Sequence, residues 1–149
     1  AQTFLLPNIA KEKDVALNGV VNNQGHTAQT VAERYGFAFA ATDASAVYND
    51  DKINTVFIAT RHHLHAAQVL DALKKGKHVF VEKPLALALN ELEEIRNLYK
   101  KISGEKIRNP QSPIPNLMVG FNRRFAPHIK KIKEKFTGAP LAVHYRINA

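Results

Sequence analysis

Short apolar runs alternate with amphipathic stretches along this chain, and that alternation restricts the fold more than any other feature. Residues 15–21 read as a strand. Residues 26–35 follow as a helix, with Ala28, Val31, Ala32 and Tyr35 on one face and Gly36 as its stop. Residues 37–40 form a short strand, and Asp43 is placed to cap a short helix ending at Tyr48. Residues 53–59 are the strongest strand, because a continuous apolar run suits a strand buried on both faces. Residues 64–75 read as a helix with Leu70 and Leu73 inward and Gly76 at its end. Residues 78–81 give the next strand. Asn90 then caps a helix, with Glu93 placed to close a capping box and Leu92, Ile95, Leu98 and Ile102 on its buried face. Residues 103–115 read as a proline-rich loop before a strand at 116–120. Residues 125–136 are helical with Pro127 in the first turn, and residues 141–147 alternate as a strand. The pattern predicts an α/β fold: a doubly wound, mostly parallel sheet with helices on both faces.

Composition narrows the class of protein. A chain of 149 residues suits one domain, and its 45% hydrophobic and 23% charged content is ordinary for a globular protein. No apolar run approaches the roughly 20 residues that span a bilayer, and the opening residues lack the features of a signal peptide. Cysteine is absent, which excludes disulfides, thiolate metal sites and a cysteine nucleophile, and fits a cytoplasmic setting. The net charge of +8 points to anionic partners or simply to a solvated surface. Its densest run extends from Arg123 and Arg124 through Lys130, Lys131 and Lys133 to Lys135, without the interleaved aromatic residues of a base-stacking surface.

Two segments carry chemistry. Val56-Phe57-Ile58-Ala59-Thr60 runs into Arg61-His62-His63-Leu64-His65, a strand leading through a loop into a helix. Such a loop lies at the carboxyl end of a strand, where ligands bind in open α/β sheets. Thr60 and the helix amides suit a phosphate or ribose. The histidines do not make a metal site, since no carboxylate or cysteine sits at ligand spacing. His65 is open to two readings, a cofactor contact or a helix-start residue bonded to backbone. In the second segment, Gly76-Lys77-His78-Val79-Phe80-Val81-Glu82-Lys83-Pro84, a buried strand delivers Glu82 and Lys83 together at its carboxyl end. A lysine there can donate to a substrate oxygen or serve as acid and base. Glu82 could hold the lysine or a ribose hydroxyl. Alone, the dipeptide would equally suit a surface ion pair.

Together these segments resemble the cofactor-binding domain of the Gfo/Idh/MocA oxidoreductases. In that family a Glu-Lys-Pro signature follows the fifth strand and its lysine is catalytic; Lys83 matches it. Val119-Gly120-Phe121-Asn122-Arg123-Arg124-Phe125-Ala126-Pro127 is similar to the family's stretch after the sixth strand, and Leu5-Leu6-Pro7 to the end of its first helix. The resemblance implies a Rossmann-like domain over residues 1–140, with residues 141–149 starting a substrate domain. It implies an NAD- or NADP-dependent dehydrogenase moving hydride to or from a hydroxyl of a sugar, polyol or nucleotide-sugar. The expected cofactor contacts are Asn22, Thr60, Arg61, His62, His65, Glu82, Lys83, Pro84, Asn122 and Arg123, with no metal. A homo-oligomer is expected.

The sequence departs from the family in three ways. It lacks the Gly-x-Gly-x-x-Gly loop and first strand. Asn22 stands where an acidic residue would bind ribose hydroxyls, which leaves NAD or NADP open. The rest of the substrate domain is missing. A truncated chain, inactive alone, is the resulting expectation. The start, and the Gly36-Phe37 stretch, also resemble a subgroup in which such a domain follows a zinc-dependent alcohol dehydrogenase-like module. The alternatives are a nucleic-acid-binding module using Arg123 to Lys135 and a structural remnant that assembles with other chains.

Overall fold

The computed structural model describes residues 5–108 and 114–136. The elements are α1 (Leu6–Ile9), β1 (Gly19–Val21), α2 (Gly25–Tyr35), β2 (Phe39–Ala41), α3 (Ser45–Tyr48), β3 (Thr55–Ile58), a 3-10 turn (His62–Leu64), α4 (His65–Lys74), β4 (His78–Glu82), α5 (Leu89–Arg108), β5 (Leu117–Gly120), a 3-10 turn (Asn122–Phe125) and α6 (Pro127–Lys135). All strand pairings are parallel, as the alternation predicts. The expected strand at 141–147 lies outside the described residues.

The strands form two sheets rather than one. β1 pairs with β2, Gly19 opposite Phe39 and Val21 opposite Ala41. β3, β4 and β5 form a separate sheet, with Ile58 opposite Val81 and Glu82 opposite Gly120. Among the described residues β1 and β3 do not pair, so each keeps an edge without a strand neighbour. β1 is also shorter than the predicted 15–21, although Leu17 and Asn18 already accept hydrogen bonds from Ala38 and Phe39.

The core lies on one face of the second sheet. Val56, Ile58, Val79 and Val81 meet Ala66, Val69, Ala72 and Leu73 of α4 and Ile95 of α5. The sequence reading that β3 is buried on both faces is corrected here. Its residues alternate, with Val56 and Ile58 inward while Phe57 stays 44% exposed. The helices cover one face; on the other, Phe57, Phe80 and Met118 stand side by side across the three strands, and the two phenyl rings lie 5.4 Å apart. An apolar run therefore did not distinguish a sandwiched strand from a half-covered one.

Helix ends hold further corrections. α5 is capped by Glu91, whose carboxylate accepts from the backbone N–H groups of Leu87 and Ala88, and not by Asn90 with Glu93. This is the reciprocal half of a capping box, with the glutamate at the third helical position. Leu92 is exposed, while Ile95 is buried and Leu98 and Ile102 pack against the core. α5 also continues through Ser103 and Gly104 to Arg108, where a loop was expected, and the Ser103 hydroxyl turns back onto the Tyr99 carbonyl. α2 and α4 end as predicted, on Gly36 at φ 76° and just before Gly76 at φ 71°, the left-handed region that glycine enters without strain. Asp43 caps the start of α3 by accepting from the Ser45 hydroxyl and N–H, which hold its carboxyl below the usual value. Burial, reinforced by Asp71 and Asp43, pushes the Tyr48 hydroxyl up to about 12.

A polar knot links the two sheets at the amino ends of the strands. The Asp50 carboxylate accepts from the Asn18 side chain at 3.0 Å and the Lys52 N–H at 2.9 Å. The buried Lys77 ammonium donates to the Asp50 and Ile53 carbonyls at 2.8 and 2.7 Å. Three segments far apart in sequence thus meet at the end of the sheets opposite the chemistry-bearing loops.

Candidate active site

Parallel strands deliver their carboxyl ends to one side, and β3 and β4 deliver the two segments singled out by sequence. Leu5, Ala59, Thr60, His62, Glu82 and Lys83 line a cleft of about 270 Å³, with His65 beneath it. Thr60, Arg61, His62 and Lys83 are exposed. The cleft therefore brings Thr60, His62, Glu82 and Lys83 together.

Glu82 and Lys83 do not form the pair considered from sequence. Glu82 accepts instead from the Asn122 amide at 3.3 Å, across from β5. Gly120 makes room for this: a Cβ there would stand 3.1 Å from the Phe80 ring and 3.2 Å from a Glu82 carboxylate oxygen. Lys83 lines the cleft and is exposed. The Lys83–Pro84 peptide is cis.

His65 resolves to the second of its two readings. It is fully buried, with Nδ1 2.7 Å from the Pro84 carbonyl oxygen and Nε2 3.1 Å from the Thr60 carbonyl oxygen. A ring enclosed in this way offers no nitrogen to a ligand, so its expected place among cofactor contacts is corrected. Pro84 likewise contributes its carbonyl to His65. The Thr60 hydroxyl donates to Gln68 at 2.6 Å. Gln68 and Gly120 were missed in the sequence; Gln68 was findable, since it lies one helical turn beyond His65 and on the same side.

The remaining expected contacts lie elsewhere. Asn22, just past β1, accepts the Gln24 N–H at 2.9 Å and so shapes the turn into α2. Arg123 is exposed in the turn after β5. Its neighbour Arg124 lies over the Phe121 and Phe125 rings, 5.7 and 5.5 Å from their centroids, so the basic run does have aromatic company at its start. Among the described residues no group of three or more His, Cys, Asp or Glu side chains could hold a metal ion. No described helix is long and apolar enough to cross a membrane.

Polar side chains gathered past the carboxyl ends of parallel strands mark the place where open α/β domains bind their ligands. The chain belongs to the GFO_IDH_MocA oxidoreductase family, whose NAD-binding Rossmann fold matches residues 1–105. It is 34% identical over 107 residues to a levoglucosan dehydrogenase of Pseudarthrobacter phenanthrenivorans, covering 72% of this chain and 25% of that protein. It is 28% identical over 132 residues to a myo-inositol 2-dehydrogenase of Thermotoga maritima, covering 89% of this chain and 36% of that protein. The solved scyllo-inositol dehydrogenase of Lactobacillus casei, with bound NAD(H) and scyllo-inositol, superposes with a TM-score of 0.74 at 24% identity, over 87% of this chain and 35% of its own; it speaks to the fold. The chain spans about a third of the length of the curated relatives it matches.

Proposed function

We propose that the intact protein carrying this domain moves hydride between a nicotinamide cofactor, NAD or NADP, and a hydroxyl-bearing carbon of a sugar, polyol or nucleotide-sugar. The observation that carries this reading is the exposed Lys83 at the carboxyl end of β4, beside a cleft, in a chain of this family. The groups bordering the cleft suit the nicotinamide end of the cofactor: an ammonium to meet a reacting oxygen, and a carboxylate already held in place by Asn122. No Gly-x-Gly-x-x-Gly stretch occurs in the sequence, so the pyrophosphate has no cradle of that kind here.

The cofactor supplies hydride acceptance and donation. Lys83 supplies the proton chemistry: its ammonium donates a hydrogen bond to the carbonyl being reduced and gives up a proton as the alkoxide forms, and its amine accepts that proton in the oxidation direction. Glu82, fixed over Gly120, Thr60, Arg61 and His62 border the cofactor on either side of Lys83. Asn22, Asn122 and Arg123 complete its surroundings. Residues 1–140 form the cofactor domain, and residues 141–149 begin the substrate domain. The parent is a cytoplasmic homo-oligomer, in one version of this reading fused behind a zinc-dependent alcohol dehydrogenase-like module. The nucleic-acid reading of Arg123 to Lys135 finds no support in the family match.

The test is turnover of the intact protein with NAD or NADP against a panel that includes myo-inositol and levoglucosan. Lys83→Ala is expected to lower kcat by about 10²–10⁴-fold with cofactor affinity little changed. Lys83→Arg is expected to rescue poorly, because guanidinium keeps its proton and has another shape. Near-normal turnover in either variant removes Lys83 from the mechanism.

A further inference from the structure

A catalytic lysine must be held as well as present, and an exposed side chain at a strand exit does not hold itself. We propose that His65 is the positioning residue for Lys83, bracing the loop after β3 against the turn after β4. The inference rests on the reading of Lys83 above and goes beyond it.

Among the described residues the ring is the only part of α4 within hydrogen-bond distance of both segments: one nitrogen is 2.7 Å from the Pro84 carbonyl and the other 3.1 Å from the Thr60 carbonyl. Pro84 directly follows Lys83, so the first contact fixes backbone one peptide from the reacting side chain. Thr60 sits across the cleft and is held a second time through its hydroxyl, which donates to Gln68 at 2.6 Å. The rigid imidazole thus sets the distance between the two walls of the cleft.

The brace inherits its position from the core. His65 is fully buried at the start of α4, and Ala66, Val69, Ala72 and Leu73 on the same helix are each 4% exposed or less. Burying an imidazole is unfavourable unless its nitrogens find partners. Both of its partners here are carbonyls, which can only accept, so a neutral ring donates to one of them and the imidazolium to both. An aliphatic side chain of similar size would fill the space and free both carbonyls to move. Displacement of about 1 Å at a reacting group can cost about 10²-fold in rate.

The experiment compares His65→Leu and His65→Gln with the parent and with Lys83→Ala, using the intact protein and myo-inositol or levoglucosan deuterated at the reacting carbon. Turnover is expressed per folded molecule, with folding checked by thermal unfolding. His65→Leu is expected to lower kcat by about 10–100-fold at nearly constant cofactor affinity and KM. The deuterium isotope effect on kcat should rise, and His65→Gln, which keeps a donor, should recover part of the loss. In amide NMR spectra His65→Gln should shift the Lys83, Leu85 and Arg61 signals and leave those of β1 and β2 in place. Unchanged kcat per folded molecule in His65→Leu, or an unmoved Lys83 signal in His65→Gln, overturns the proposal. If Lys83→Ala keeps its activity while the Lys83 signal moves in His65→Gln, the brace stands and the assigned role of Lys83 fails. If either His65 variant misfolds, the other variant and its spectrum decide.

Discussion

At the scale of single residues, burial separates side chains that look alike in sequence. Lys77 and Lys83 sit at opposite ends of β4. Lys83 is exposed beside the cleft, whereas Lys77 is only 6% exposed and donates to two backbone carbonyls. Lys77→Met keeps the aliphatic stem and removes the donor; the Asp50 carbonyl keeps the Ile53 N–H, but the Ile53 carbonyl loses its ammonium partner. Orphaning a buried acceptor costs about 1–3 kcal/mol, and urea unfolding of the variant should show a loss in that range with the slope unchanged. A loss below about 0.5 kcal/mol would mean that water replaces the ammonium at no net cost. Nothing in the sequence marked Lys77 for this part, because its partners come from a loop more than twenty residues away. Lys83 was legible because the Glu-Lys-Pro segment and the strand before it lie together in the chain.

At the scale of elements, β1 and β3 each have a strand neighbour on one side only among the described residues. A strand edge presents a row of N–H and C=O groups and invites pairing with another chain. Gly19, Val20 and Val21 are all half-buried, and on β3 the open face adds Phe57 at 44% exposure. The described structure does not pair these two strands with each other. The 149-residue chain is therefore expected to self-associate, with a sedimentation coefficient that rises with concentration. A monomer at every concentration, with β1 and β3 amides exchanging freely with solvent, would show that the open edges are tolerated. Slow exchange in both strands of such a monomer would show that they pair within the chain.

At the scale of the whole molecule, the two sheets are joined by the Asn18, Asp50 and Lys77 knot at one end, while the cleft between the β3 and β4 loops opens at the other. The cleft offers groups for one end of a dinucleotide. A pyrophosphate is normally held by glycine-loop amides at a helix N-terminus, and this sequence has no loop of that spacing. Residues 1–149 alone are expected to show no detectable NAD(H) or NADP(H) binding at micromolar cofactor. Tight, stoichiometric binding in a calorimeter would contradict this and locate the cradle elsewhere in the chain.

The α/β class, the succession of strands and helices, the glycine stops after α2 and α4, and the presence of Lys83 at a strand end are all legible in the chain. Each of these depends on residues close together in the chain, where periodicity and local backbone preference act. The tertiary structure alone decided which face of β3 is covered, that Glu82 turns to Asn122 over Gly120, that Lys77 is a buried tie, and that His65 is enclosed between two carbonyls. Those outcomes depend on which distant segments meet across the sheet. A histidine or lysine carries the same chemistry in either place, and burial and partners select which part of it is used.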